Sequence, residues 1–188
     1  MIEKMKDRIK ERYNKMGDRA VITTKNKDVG VYLHWDGTMD FVEGFLAYCD
    51  LKEYRSPEVD DYGWARLCQV IGNYFGGKLS VGVDRYEKLD TDNYDNGVYI
   101  IENWEIIGRE YQHYKDYHQD NMDEFLLEIN RRMPKHEQVP SYEIFSYAKK
   151  WNEKHLKEEK DTEEGDLNND RWLWLWWCWW RKRRKWRT

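Results

Sequence analysis

The residues with the clearest capacity for chemistry are four arginines set near aromatic side chains. Arg55 falls in the break "YRSPEVDDYG" between two helical patterns, Arg66 on the second pattern, Arg85 after a strand pattern, and Arg109 just past "WEIIG". A guanidinium group presents a fork of donors that suits phosphate and a planar face that stacks on rings. Trp64 and Phe75 share the helical pattern of Arg66 and could sandwich a base, a contact worth about 1–3 kcal/mol. The plain alternative for each arginine is a surface ion pair, and for Trp64 and Phe75 it is core packing.

The stretch "GNYFGGKLSVGV" (72–83) looks at first like a backbone cradle for phosphate. It fails as a P-loop, because there the glycines precede a helix and a Ser or Thr follows the lysine, whereas here the helix comes first and Lys78 precedes Leu79. Gly76 or Gly77 reads instead as a helix C-cap leading into a strand, with Asn73 and Phe75 at the helix end. A helix C-terminus carries partial negative charge, so a pyrophosphate nearby needs guanidinium groups; Arg109 and Arg55 are the expected partners, with Phe75 or Trp64 on the base.

Other constellations do not close. "DTDNYDNG" (90–97) lacks the glycine and terminal glutamate of a calcium loop and reads as a solvated acidic turn. His113 and His118 are five apart, which fits no helical metal pair, so no metal site is expected. No G-x-S-x-G elbow is present, and neither an enzymatic role nor a cofactor is expected.

Charge narrows the partners. All 36 acidic residues but only 25 of the 32 basic ones precede Arg171, so the body carries about −11 and the end +7. Such a body repels a polyphosphate backbone, and nucleic acid is not an expected partner. Cys49 and Cys68 sit among apolar helical positions, and with Cys178 they form an odd set without C-x-x-C spacing, the pattern of reduced core thiols in a cytoplasmic protein. "MIEKMKDRIKERY" has no continuous apolar region, and no secretory signal is read there.

The elements that must position these groups follow from periodicity. Ile2, Met5, Ile9, Tyr13 and Met16 form one stripe of an amphipathic N-terminal helix. "DRAVITT" and "VGVYLHW" predict a hairpin turning at Lys25–Asp28, with Val29, Val31, Leu33 and Trp35 on one face. Thr38 is the expected hydroxyl cap of a helix buried through Phe41, Val42, Phe45, Leu46 and Cys49. A second helix carries Trp64, Leu67, Cys68, Ile71 and Phe75. Strand candidates follow at 79–83 and 97–107, with a tight turn at Asn96-Gly97, then a helix from Asn121. The order ββααβββα predicts an α+β domain on a small antiparallel sheet, residues 1–134. An added charged helix occupies 135–164 and a Trp-rich basic tail 165–188. The nine-residue run "WLWLWWCWW" is far short of the roughly 20 needed to span a bilayer. We read the tail as coding drift at a frame-shifted or read-through end, without membrane contact.

The runs "VGVYLHWDG", "YGWARLCQVIGNYFGG", "LSVGVDRY" and "DNGVYIIENWEIIGREY" resemble the first anti-Thoeris family, phage sponges that capture cyclic ADP-ribose signals. The resemblance covers about residues 1–133. It implies a cytoplasmic homo-oligomer in the host cell, an N-terminal anchoring helix, a sheet shared across a dimer, and an interface pocket that holds a cyclic nucleotide without cleaving it. Trp64, Phe75, Asn96 and Arg109 stand inside the resembling runs and are the carried-over ligand positions. The chain departs from the family after residue 134. A competing expectation is an acidic inhibitor that mimics nucleic acid and blocks a host defence nuclease; a phosphodiesterase ranks last, for want of H-x-T or metal-ligand spacing.

Overall fold

The computed structural model describes residues 18–77, 80–113, 118–119 and 121–155. The expected helix at 2–16 and the tail at 165–188 lie outside these residues. The chain divides into two compact units, Met1–Phe145 and Ser146–Thr188. The first is an α+β unit, as its periodicities predict. In the second, the rings of Trp151 and His155 stack one helical turn apart at 3.7 Å. Among the described residues no helix is long and apolar enough to cross a membrane.

Strands β1 (Ala20–Thr24) and β2 (Val29–Leu33) form the predicted hairpin, with the Lys27 amide donating to Thr24 O at 3.1 Å. Helices α1 (Met39–Leu51) and α2 (Tyr62–Tyr74) follow, then β3 (Val81–Arg85), a short turn of 3-10 helix, β4 (Val98–Glu102), β5 (Glu105–Glu110) and α3 (Met122–Arg132). Residues 141–155 form the last described helix. The sheet order is β3-β2-β1-β4-β5. Ile22, Val31, Leu33, Tyr99 and Ile101 share one face and are fully buried; Val42, Phe45, Leu67, Ile71, Leu126 and Ile129 of the helices are buried with them.

The sheet is mixed, where the sequence predicts an antiparallel one. Three strand pairings are antiparallel, and β1 pairs with β4 in parallel. The hairpin fills one edge of β1 with β2. The loop after β3 then delivers the chain to the beginning of β1, where the Asn96 amide donates to Arg19 O at 3.1 Å and the Val21 amide to Gly97 O at 2.8 Å. Starting beside the start of β1, β4 must run with it.

Local expectations are corrected in four places. The run 97–107 is two strands, joined at Asn103 and Trp104, whose φ values of 50° and 63° are those a two-residue hairpin turn requires. The sequence hid this turn because Trp104 is a poor left-handed residue. It is held there by burial and by its indole N–H donating to Tyr54 O at 2.7 Å. Trp35 is 40% exposed, edge-on to His34, because β2 ends at Leu33. The Thr38 hydroxyl donates to the Asp40 carboxylate and leaves the first-turn amides of α1 uncapped by that side chain. The acidic turn is solvated only in part: Asp90, Asp92 and Tyr94 are exposed, but Asn93, Asp95 and Asn96 are buried. Arg19 Nε donates to Asp95 Oδ2 at 2.6 Å, and Asn93 Oδ1 accepts the amides of Asp95 and Gly97, each at 3.1 Å. Burial without such partners would cost several kcal/mol, roughly 2–7 per group.

"GNYFGG" ends α2 as its glycines predict. The Gly76 amide donates to Asn73 O at 3.1 Å and the Gly77 amide to Gly72 O at 3.4 Å, with Gly76 at φ 63°. This is the Schellman pattern, in which a left-handed residue turns orphan amides back onto the last carbonyls. The segment after α3 is tied to the same unit through buried Asn130. Its Oδ1 accepts from the Tyr48 hydroxyl at 2.7 Å and the Val139 amide at 2.8 Å, and its Nδ2 donates to Val139 O at 2.9 Å.

Candidate functional site

The end of α1 repeats the end of α2 with one difference. The Glu53 amide donates to Asp50 O at 2.8 Å and the Tyr54 amide to Cys49 O at 3.1 Å, the same paired bonds, but the left-handed residue, at φ 52°, is a glutamate. That conformation costs a side-chain-bearing residue roughly 1–2 kcal/mol. The turn throws Tyr54 and Arg55 into the loop before α2, opposite Tyr62 and Arg66 in its first two turns.

Glu53, Tyr54, Arg55, Tyr62 and Arg66 line a cleft of about 310 Å³. The Arg66 guanidinium lies 5.1 Å from the Tyr54 ring centroid, with Nη1 donating to Gln69 Oε1 at 2.8 Å. The Arg55 guanidinium lies 5.5 Å from the exposed Tyr62 ring. Tyr54 is braced from behind: its carbonyl takes the Trp104 indole, and its hydroxyl donates to Glu137 Oε2 at 3.3 Å. Burial, reinforced by the Glu137 carboxylate, pushes the Tyr54 phenol up to about 12, so it stays neutral and keeps its proton at physiological pH. Asp60 ties Arg55 to the start of α2. Its Oδ2 meets Arg55 Nη1 at 2.5 Å, and its Oδ1 accepts the Tyr62 amide at 3.0 Å, at the N-terminus of α2.

Of the residues expected from sequence, Arg55 and Arg66 come together here. The others sit elsewhere. Arg109 and Asn96 meet at the end of β5: the guanidinium stacks 3.5 Å from the Tyr99 centroid and donates to Asn96 O. The Asn96 side chain is buried and donates to Asp18 Oδ1 at 2.9 Å. Burial drives the Asp18 carboxyl above its usual range, against the lowering effect of that bond. Phe75 lies against the rings of Tyr74 at 5.6 Å and Phe45 at 6.3 Å, and Trp64 is buried. Asn73 Nδ2 approaches Met133 Sδ at 3.3 Å. Arg85 is exposed at the end of edge strand β3, 3.9 Å from Glu87.

Sequence reasoning passed over four residues. Tyr54, Tyr62 and Glu53 complete the cleft, and the signal was present: Tyr62 and Arg66 are one helical turn apart, and Tyr54 adjoins Arg55. The fourth is Arg132. The guanidinium that offsets the negative end of α2 is this one, which donates to Tyr74 O and sits 4.3 Å from the Tyr74 ring centroid. No motif marks it, because α2 and α3 are joined only by the fold.

The cleft therefore offers two guanidinium forks, two phenol faces and a carboxylate around one space, a set suited to a planar group carrying phosphate. Comparison with protein-family models, with curated proteins and with solved structures finds no match for the chain.

Proposed function

We propose that this protein is a phage-encoded sponge that binds a cyclic ADP-ribose-type signal in the cleft between the α1–α2 loop and α2, and holds it without cleaving it. The single observation that carries this reading is the convergence of Arg55 and Arg66 with the Tyr54 and Tyr62 rings on one space. Phosphate displaces Asp60 from Arg55 and bridges to Arg66, and the base lies on an exposed phenol face. Sequestration of the signal in the host cytoplasm, by a homo-oligomer, would silence an antiphage defence that depends on it. The family resemblance of the sequence supports the ligand class; the cleft supports where the ligand sits.

Calorimetry with cyclic ADP-ribose isomers tests this directly. Arg55→Ala and Arg66→Ala should each weaken capture on the order of 10- to 100-fold, the scale of a charge-assisted hydrogen bond, with the circular-dichroism melt unchanged. Heating the loaded protein should release the ligand unaltered on chromatography. No heat of binding, or a changed ligand, defeats the sponge reading. The body charge near −11 favours a second reading, an acidic inhibitor that occupies the basic site of a host nuclease. That reading requires salt-sensitive capture of a nuclease and indifference to the nucleotide.

A further inference from the structure

The cleft contains one residue whose backbone and side chain pull in opposite directions. Glu53 occupies the left-handed position that closes α1, a place that favours glycine and holds glycine in the matching turn of α2. Glu53 lines the cleft with Arg55 and Arg66 and is exposed to solvent, and its carboxylate makes no hydrogen bond or ion pair with the other described residues. The left-handed turn itself favours glycine over glutamate.

A carboxylate only accepts hydrogen bonds, and it repels phosphate. Beside two guanidinium groups it divides the cleft into a part that takes anion and a part that takes donors. The group one bond away from a nucleotide's phosphate is its ribose, whose hydroxyls donate; an acidic side chain on ribose hydroxyls is a recurrent solution in nucleotide sites. We infer that Glu53 is the specificity-determining residue of the cleft, accepting hydrogen bonds from the ribose hydroxyls of a nucleotide whose phosphates lie on Arg55 and Arg66. This rests on the nucleotide reading of the cleft. Glu53 thereby selects a nucleotide over a bare polyphosphate, which it repels.

Calorimetry of the full chain and its Glu53→Gln and Glu53→Gly variants, with cyclic ADP-ribose and with inorganic pyrophosphate, reads this out. Both variants should lose about tenfold in affinity for cyclic ADP-ribose. Pyrophosphate should bind them as well as or better than it binds the parent. Glu53→Gly should also raise the melting temperature by roughly 2–4 °C, and Glu53→Gln should leave it unchanged. Parent-like affinity for cyclic ADP-ribose in both variants overturns the inference, as does an equal loss for both ligands. A parent protein that binds neither ligand overturns the nucleotide reading itself, and the inference with it; a parent that binds cyclic ADP-ribose while both variants bind it as tightly as the parent removes only Glu53.

Discussion

Two corners of this molecule use the same residue types to opposite ends. At the end of β5, Arg109 lies flat on Tyr99 at 3.5 Å, bonded to Asn96 O, and next to it Arg19 grips buried Asp95. In the α1–α2 cleft, Arg55 and Arg66 stand 5.5 and 5.1 Å from their tyrosines with open space between them. The first corner supplies protein acceptors to both arginines, Asn96 O to Arg109 and the Asp95 and Asp90 carboxylates to Arg19, so they act as staples for the loop that starts β4. In the second, Asp60 pairs with Arg55 and Gln69 accepts from Arg66, while Glu53, Arg55 and Tyr62 are exposed to solvent. An arginine beside an aromatic ring thus says little about ligand binding until the supply of internal acceptors around it is known.

The sharpest way to break the closed corner is at Gly97. A Cβ there would lie 2.3 Å from Glu110 O and 2.4 Å from Tyr111 O, at a φ of 63° that already favours glycine. Gly97→Ala should cost about 3 kcal/mol or more in urea denaturation, with cleft ligands still bound by the folded fraction. Loss of under about 0.5 kcal/mol would mean that the corner is not the rigid part.

Arg109→Ala is the next test and the one that separates the corners. Losing the stack and the charge-assisted bond should destabilise by about 2 kcal/mol while capture in the cleft is retained. The sequence alone leads to the reverse, abolished capture with an unchanged melt. That result would move the pocket to β5.

Asp60→Asn should have the smallest effect. The amide keeps its bond to the Tyr62 N–H but gives up the charge on Arg55, an ion pair with one partner largely exposed and so worth at most about 1 kcal/mol. Calorimetry should show nucleotide affinity rising up to about fivefold. A fall in affinity would show that Asp60 orders the cleft rather than competing for it.

The contrast also marks what the sequence could convey. Periodicity placed the hairpin, α1, α2 and α3, because one buried face leaves a regular trace in the residues that make it. The glycine cap of α2 was legible for a local reason, since left-handed backbone and glycine go together. The same turn at Glu53 was not, because there the side chain contradicts the backbone. The parallel β1–β4 pairing, the Arg132 cap and the Asn130 clasp were invisible, since each joins segments that only the fold brings together. The sequence reading favoured Arg109 and Arg55 over Arg66 and Arg85, whereas the fold brings Arg55 together with Arg66 and sets Arg109 apart. The ranking depends on burial and acceptor supply, which are three-dimensional quantities.

The parallel pairing of β1 with β4 also bears on how the chain reaches this state. Strand β1 is buried from Ala20 to Thr24, so both its edges need partners. One partner, β2, arrives within a few residues; the other is made only after α1, α2, β3 and the loop behind it. Loop closure over that span must precede the contacts that reward it, which makes this step a natural bottleneck in folding. On the ribosome the β1–β2 hairpin emerges early with one apolar edge open. The sheet can close only once Val98 and its neighbours have left the exit tunnel, so any pause in synthesis before β4 would prolong the interval in which that edge can pair with another chain.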